Sequence, residues 1–274
     1  MSGATRDELA FVRKLVRDQS GMVLNEDKEY LIVSKLNSLA RKERIASLAE
    51  LVRQLRDPSS TALRRAATEE MLIGETCFFR DGHPFEALRS TILPELARQR
   101  ADERALNLWC AAAATGQEPY SLAIVLSEAL PELSRWCVRL IATDLSEANL
   151  VRARAGLYSE LEISRGMPEP MRARYFAREG ESFRVHESLR RRVEFLRMNL
   201  VLGWPALPLL DLVLLRNVLI YFDAATRAAI IARVREHLRP GGYLLLGTSE
   251  ALVDEAVGFT PVRVRSTVFY RRDP

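Results

Sequence analysis

The chain has 274 residues, 48% of them hydrophobic and 28% charged, which allows a small domain followed by a larger one and leaves no segment polar enough for extended disorder. The net charge of +4 is mild; three widely spaced cysteines (77, 110 and 137) and three scattered histidines (83, 186 and 237) form no CxxC pair and no ligand cluster. Disulfide frameworks, thiol redox chemistry and a metal site are therefore set aside.

The opening MSGATRDELAFVRK is charged within the first few residues, unlike a secretory signal. The most apolar window, Leu200 to Phe222, is broken by Trp204, two prolines, Asp211 and Arg216, so direct membrane insertion is not expected and a cytoplasmic, monomeric protein is. Residues 1–72 read as a helical domain. DELAFVRKLVRDQSGM sets Leu9, Val12, Leu15 and Val16 on one stripe, with Gly21 as its C-terminal cap. A second helix from about Asp27 to Lys42 turns Ile32, Leu36 and Leu39 inward, and Lys28, Lys35 and Lys42 recur at heptad spacing along one side. Ser47 opens SLAELVRQLRD, and Asp57-Pro58-Ser59-Ser60 breaks it before another helix begins. From Lys35 to Arg65 eight basic residues (35, 41, 42, 44, 53, 56, 64, 65) face three acids (43, 50, 57). The excess suits either a solvated helix face or docking on an acidic surface; nucleic acid is disfavoured because the stretch has no aromatic side chains to stack bases.

Residues 73–274 form the second expected domain. From about Leu106 strands alternate with helices, the pattern of a doubly wound parallel sheet: 106–112, 138–144, 193–199, 210–217 and 241–249, with a closing strand pair in FTPVRVRSTVFYRR. Residues 156–192 interrupt the alternation and read as an inserted subdomain.

Ligands of such sheets bind beyond the carboxyl ends of the strands. AAAATGQEP (111–119) is a small-residue turn that lets a ligand approach the backbone, Asp144 ends a strand where an acid can accept from ribose hydroxyls, and Asn199-Leu200 and Arg216-Asn217 follow two further strands. The turn fails G-x-G-x-x-G and lacks a phosphate-loop lysine, which disfavours dinucleotides, ATP and GTP; alone it is explained by helix–sheet packing, and with Asp144 it points to a nucleoside ligand.

Six segments, GETCFFRD (74–81), AAAATGQEPYSLA (111–123), IATDLS (141–146), NL (199–200), LLRNVLIYFD (214–223) and GGYLLLGTSE (241–250), resemble the chemotaxis receptor glutamate methyltransferases, the CheR family. The resemblance spans nearly the whole chain. It implies an α/β class I S-adenosylmethionine-dependent methyltransferase, a Rossmann-like sheet with a helical N-terminal domain and a small inserted antiparallel β subdomain. It further implies that Gly74, Thr76, Arg80, Glu118, Asp144, Asn199, Leu200, Arg216 and Asn217 surround S-adenosylmethionine, with S-adenosylhomocysteine as product, and that Arg80 and Tyr221 lie closest to the transferred methyl. Gly74 stands where the family usually has Asn, and Ala114 where it has Ser. A lost amide hydrogen bond costs about 0.5–1.5 kcal/mol of cofactor affinity.

The local alternatives are plain. Arg80 could pair with Asp81 or Glu75, Tyr221 could be a buried tyrosine with a satisfied hydroxyl, Tyr120 and Ser121 read as structural, and Phe78, Phe79 and Phe222 read as core or pocket wall. The implied reaction is methyl esterification of glutamates on a chemoreceptor or related signalling protein. The expected partner is the cytoplasmic helical region of the receptor, met by the basic N-terminal helices and the inserted subdomain. A non-catalytic S-adenosylmethionine-binding scaffold, or a methyltransferase acting on a small molecule or nucleic acid, are the rival readings.

Overall fold

The computed structural model describes residues 4–25, 29–130, 135–252 and 258–274, and the chain divides into two compact units: residues 1–73 with 221–227, and the remainder.

The first unit is built on four helices, α1 (Arg6–Ser20), α2 (Glu29–Lys42), α3 (Leu48–Arg56) and α4 (Thr61–Met71). Their starts and stops follow local chemistry. Thr5 and Glu8 form a reciprocal capping box on α1, which ends on Gly21 in the left-handed region; the Ser47 side chain accepts from Glu50 N to start α3. The apolar stripes then meet: Leu9, Val12 and Val16 of α1, Leu36 and Leu39 of α2, and Leu51 and Leu55 of α3 are all buried in one cluster. The expected stripe of α1 is therefore its buried face.

The lysine heptad has a different fate. Lys28 lies outside the described residues. Lys35 is half-buried, and its Nζ donates to the carbonyls of Met71 (3.2 Å) and Leu72 (3.0 Å), where α4 ends. Helix-terminal carbonyls have no intrahelical partner, so an ammonium there satisfies both. Burial holds the Lys35 amine below its ordinary pKa. Lys42 pairs with Glu70 at 2.8 Å. The described part of the lysine stripe thus joins α2 to α4, and among the described residues of the 35–65 stretch the exposed cations without an acid partner are Arg41, Arg44 and Arg65.

The second unit centres on a seven-stranded sheet. Its strands are β1 (Ala105–Ala111), β2 (Cys137–Asp144), β6 (Val193–Arg197), β7 (Leu210–Leu215), β8 (Leu238–Leu246), β9 (Phe259–Val264) and β10 (Thr267–Arg272), in the order β6-β2-β1-β7-β8-β10-β9. The five strands from β6 to β8 run parallel, and β10 and β9 add antiparallel. Strands covered on both faces read as continuous apolar runs, and all six residues of β7 are buried. Helices α5 (His83–Ala87), a π-helical turn (Leu88–Ile92), α6 (Leu93–Gln99), α7 (Gln117–Ala129), α8 (Glu147–Ala155) and α12 (Ala224–His237) complete the crossovers and flanks.

Between α8 and β6 lies the insert: β3 (Leu157–Ser159), α9 (Glu160–Ser164), α10 (Glu169–Tyr175), β4 (Phe176–Glu179), β5 (Ser182–Val185) and α11 (Glu187–Arg190). Its three strands make a separate antiparallel sheet in the order β3-β5-β4. Phe78 anchors it, edge-on to Tyr158 at 5.0 Å and to Phe176 at 5.4 Å. Each such pair adds about 0.5–1.5 kcal/mol beyond the area it buries.

Candidate active site at the carboxyl ends of the strands

Strand order reverses its direction of growth at β1: the chain builds β2 and β6 on one side and β7 and β8 on the other. The carboxyl ends of β1, β2, β6 and β7 therefore gather the residues expected to matter.

Beyond β1 the backbone enters the left-handed region at Ala112 (φ 52°), Ala114 (φ 47°) and Gly116 (φ 95°). Gly116 is required twice, by its dihedral and because a Cβ there would stand 2.9 Å from Ala153 Cβ. The small-residue turn thus packs α7 against α8 as well as keeping side chains off the ligand-facing backbone. Asp144, at the end of β2, is 7% exposed. Its carboxylate accepts from Ala114 N at 2.8 Å and Ser146 N at 2.9 Å, and from Asn149 Nδ2 at 3.3 Å. It fixes the β1 turn against the start of α8. The Asn149 amide also lies beside Gly74, 3.4 Å from where a Cβ would be, so an atom-for-atom Asn at that position would meet a carboxamide already in place.

Arg216, the residue after β7, is enclosed, its side chain 1% exposed. Nη1 donates to Glu118 Oε2 (2.8 Å), and Nη2 to Asp81 Oδ2 (2.7 Å) and to the Arg80 carbonyl (3.1 Å). Nε is buried with no acceptor among the described residues. Burial raises the Glu118 pKa, opposed by the Arg216 charge. It is Arg216, and not Arg80, that pairs with Asp81. Arg80 is half-buried and donates from Nη1 to the Glu75 carbonyl at 3.1 Å. Phe79 (φ 47°) and Asp81 (φ 69°) bend this segment, and Ser121 Oγ accepts from Phe79 N at 2.9 Å. Tyr120 is fully buried and donates to the Ala153 carbonyl. Both act structurally, as the sequence suggests.

Two residues past the Asp144–Arg197 register of β2 and β6, Asn199 Oδ1 accepts from Val201 N (3.0 Å), and the Leu200 carbonyl accepts from Trp204 Nε1 (3.1 Å). Trp204 stands edge-on to the buried Trp109 at 5.0 Å. Asn217 follows Arg216 in the left-handed region (φ 59°), and Thr76 is half-buried between Gly74 and Phe78 in sequence. Tyr221 ends a 3-10 turn (Leu219–Tyr221) and belongs with the helical unit: its carbonyl accepts from Val23 N, and its ring packs on that unit's core.

The structure thus joins Glu118, Arg216 and Arg80, and separately Asp144, Asn149 and Gly74. Asp81 and Asn149 were absent from the expected set. Asp81 lies inside the FFRD segment, and its role as partner of an arginine 135 positions away leaves no local signal. Among the described residues no group of three His, Cys, Asp or Glu side chains could hold a metal ion.

Known proteins resemble the chain along almost its whole length. A family model described as "CheR methyltransferase, SAM binding domain" matches residues 74–268, and one described as "CheR methyltransferase, all-alpha domain" matches residues 7–72. A "Chemotaxis protein methyltransferase 1" of Pseudomonas aeruginosa is 39% identical over 276 residues, covering 99% of both chains. A "Chemotaxis protein methyltransferase" of Vibrio parahaemolyticus is 35% identical over 94% of both. One of Borreliella burgdorferi is 32% identical over 90% of this chain and 89% of its own.

Proposed function

The chain belongs to the CheR methyltransferase family, and from that premise we propose that it is the S-adenosylmethionine-dependent enzyme that esterifies glutamate side chains of a chemoreceptor or related signalling protein in the cytoplasm. The observation that carries the reading is the end-to-end likeness to chemotaxis protein methyltransferases.

The residues fit the cofactor. Asp144 is an acid at the end of β2, suited to ribose hydroxyls; the turn at 112–116 leaves backbone approachable; and the buried Arg216 Nε is a donor for which the described residues supply no acceptor. The bound cofactor supplies a methyl group on a sulfonium centre. A glutamate carboxylate, with a pKa near ~4.3, is already ionised at neutral pH, so no group in the protein has to take a proton. What remains for the chain is alignment and exclusion of water. The Arg80 guanidinium can orient the incoming carboxylate through a forked contact, while its backbone is held by Arg216. Tyr221 is assigned to the methyl region by its place in the RNVLIYFD segment. Receptor docking falls to the helical unit, with Arg41 and Arg44 in place of the inward-turned Lys35, and to the insert.

Incubation of the protein with tritiated methyl donor and receptor cytoplasmic fragment should give label that base releases as methanol. Base-stable label would mean N-methylation and end the reading. Arg80→Ala and Tyr221→Phe should lower turnover far more than cofactor affinity.

A further inference from the structure

Glu250 lies past β8, at the end of the GGYLLLGTSE segment and outside the expected site residues. Its two carboxylate oxygens face a cluster of backbone donors: Oε2 accepts from Asn217 N at 2.6 Å and Gly247 N at 2.8 Å, and Oε1 accepts from Leu219 N at 2.8 Å and Ile220 N at 3.3 Å. Four N–H groups from two segments thus converge on one side chain. A carboxylate has about four acceptor positions, so this set uses them all.

The donors are orphans for a structural reason. Asn217 has left the β7 ladder and sits at φ 59°, Leu219 and Ile220 open a 3-10 turn whose first N–H groups have no partner of their own, and Gly247 has left β8. The neighbouring contact is tight: a Cβ at position 247 would stand 2.7 Å from both Asn217 Nδ2 and Glu250 Oε2, so the Asn217 carboxamide rests directly on Gly247. A residue held at positive φ costs about 1–3 kcal/mol unless its surroundings dictate it, and hydrogen bonds to a charged acceptor are the stronger kind.

We propose that Glu250 is a positioning residue for cofactor binding: by gathering the backbone N–H groups of Asn217, Leu219, Ile220 and Gly247 it fixes the segment after β7, and with it the Asn217 side chain that meets the cofactor. The inference rests on the reading of Asn217 as a cofactor residue. Glu250 itself makes no contact with the reacting groups. Its loss therefore acts on cofactor affinity, with the methyl-transfer step spared once the cofactor is bound. A purely structural carboxylate would lower the melting temperature and leave the affinity of the folded protein unchanged.

The test uses the full chain and the variants Glu250→Gln, which keeps the volume but replaces one acceptor oxygen with a donor, and Glu250→Asp, which keeps the charge on a shorter stem. Calorimetric titration with S-adenosylhomocysteine well below the melting transition is expected to show about tenfold to a hundredfold weaker binding for Glu250→Gln, the size expected when hydrogen bonds to a charged group are lost. Glu250→Asp should recover part of it. In turnover assays the KM for the methyl donor should rise with kcat within about threefold of wild type, and amide hydrogen exchange should quicken at 217–220 and 247 ahead of the sheet. Wild-type affinity in Glu250→Gln would overturn the assignment, as would quickened exchange with unchanged affinity. A wild-type protein that binds no S-adenosylhomocysteine would instead overturn the cofactor reading on which it stands.

Discussion

At its first turn into the sheet, β7 places Asp211, 1% exposed, against the Arg100 guanidinium at 2.7 Å, with Arg239 at 3.6 Å and the backbone N–H of Asn107 on its other oxygen. One residue past the far end of the same strand, Arg216 is equally enclosed between Asp81 and Glu118. Both are buried charge clusters, yet one centres on an acid and the other on a base shared by two acids. Around the carboxyl-end cluster the backbone departs from common conformations: of the eight non-glycine residues at positive φ among the described residues, Phe79, Asp81, Ala112, Ala114 and Asn217 lie in its segments. The amino-end cluster fastens β1 to β7 and has one such residue beside it, Arg104 (φ 47°), in the turn before β1. Uncommon backbone conformations thus gather at the carboxyl ends of the strands, where they are held by surrounding hydrogen bonds.

The contrast can be broken at either end. The largest effect is expected for Arg216→Met, which leaves Asp81 and Glu118 facing each other without a cation. Breaking a buried pair from one side costs about 3–5 kcal/mol, so urea denaturation should show that loss, together with loss of S-adenosylhomocysteine binding. Retained binding in the folded variant would separate Arg216 from the site. Asp211→Asn should cost about 1–3 kcal/mol by leaving Arg100 poorly paired, and below its melting transition it should bind S-adenosylhomocysteine as tightly as wild type. A weakened affinity there would mean that the two ends of β7 are coupled.

The smallest effect concerns Tyr243, whose hydroxyl donates to Glu95 Oε1 at 2.8 Å. Burial, aided by that acceptor, pushes its pKa up from 10.0 to about 12. The folded state holds the phenolic proton more tightly than the unfolded chain, so this contribution is complete below pH 10 and is lost as pH rises through about 12. Thermal melts of Tyr243→Phe should therefore fall less steeply than wild type across that window. Parallel slopes would place the alkaline sensitivity elsewhere.

Much of the sheet was legible because its strands are apolar on both faces. LDLVLLRN reads as a buried strand, and its first six residues form one, with Arg216 and Asn217 beyond its end; Asp144 could be placed at a strand end from the pattern alone. The start of β8 was less so: Pro240 argues for a helix stop, whereas the strand already begins at Leu238 and carries the proline through an irregular register opposite Leu210 and Leu212. The helices from His83 to Gln99 have no counterpart among the expected elements. In the site, residue types were legible and partners were not. Arg216 meets Glu118 and Asp81 across 98 and 135 positions, and Lys35 meets Met71 across 36. Such pairings depend on how distant segments stack, which periodicity does not encode.

Trp204 gives the molecule an optical gauge. Its indole N–H is tied to the Leu200 carbonyl, and its ring abuts Trp109 beneath the β1–β2 register. Any ligand that engages Asn199-Leu200 pulls on that tether and alters the polarity around an edge-to-face indole pair. Occupancy should therefore be readable as a change in intrinsic emission without added dye, with Trp204→Phe identifying the share due to this pair and Trp109 and Trp136 supplying the remaining emission.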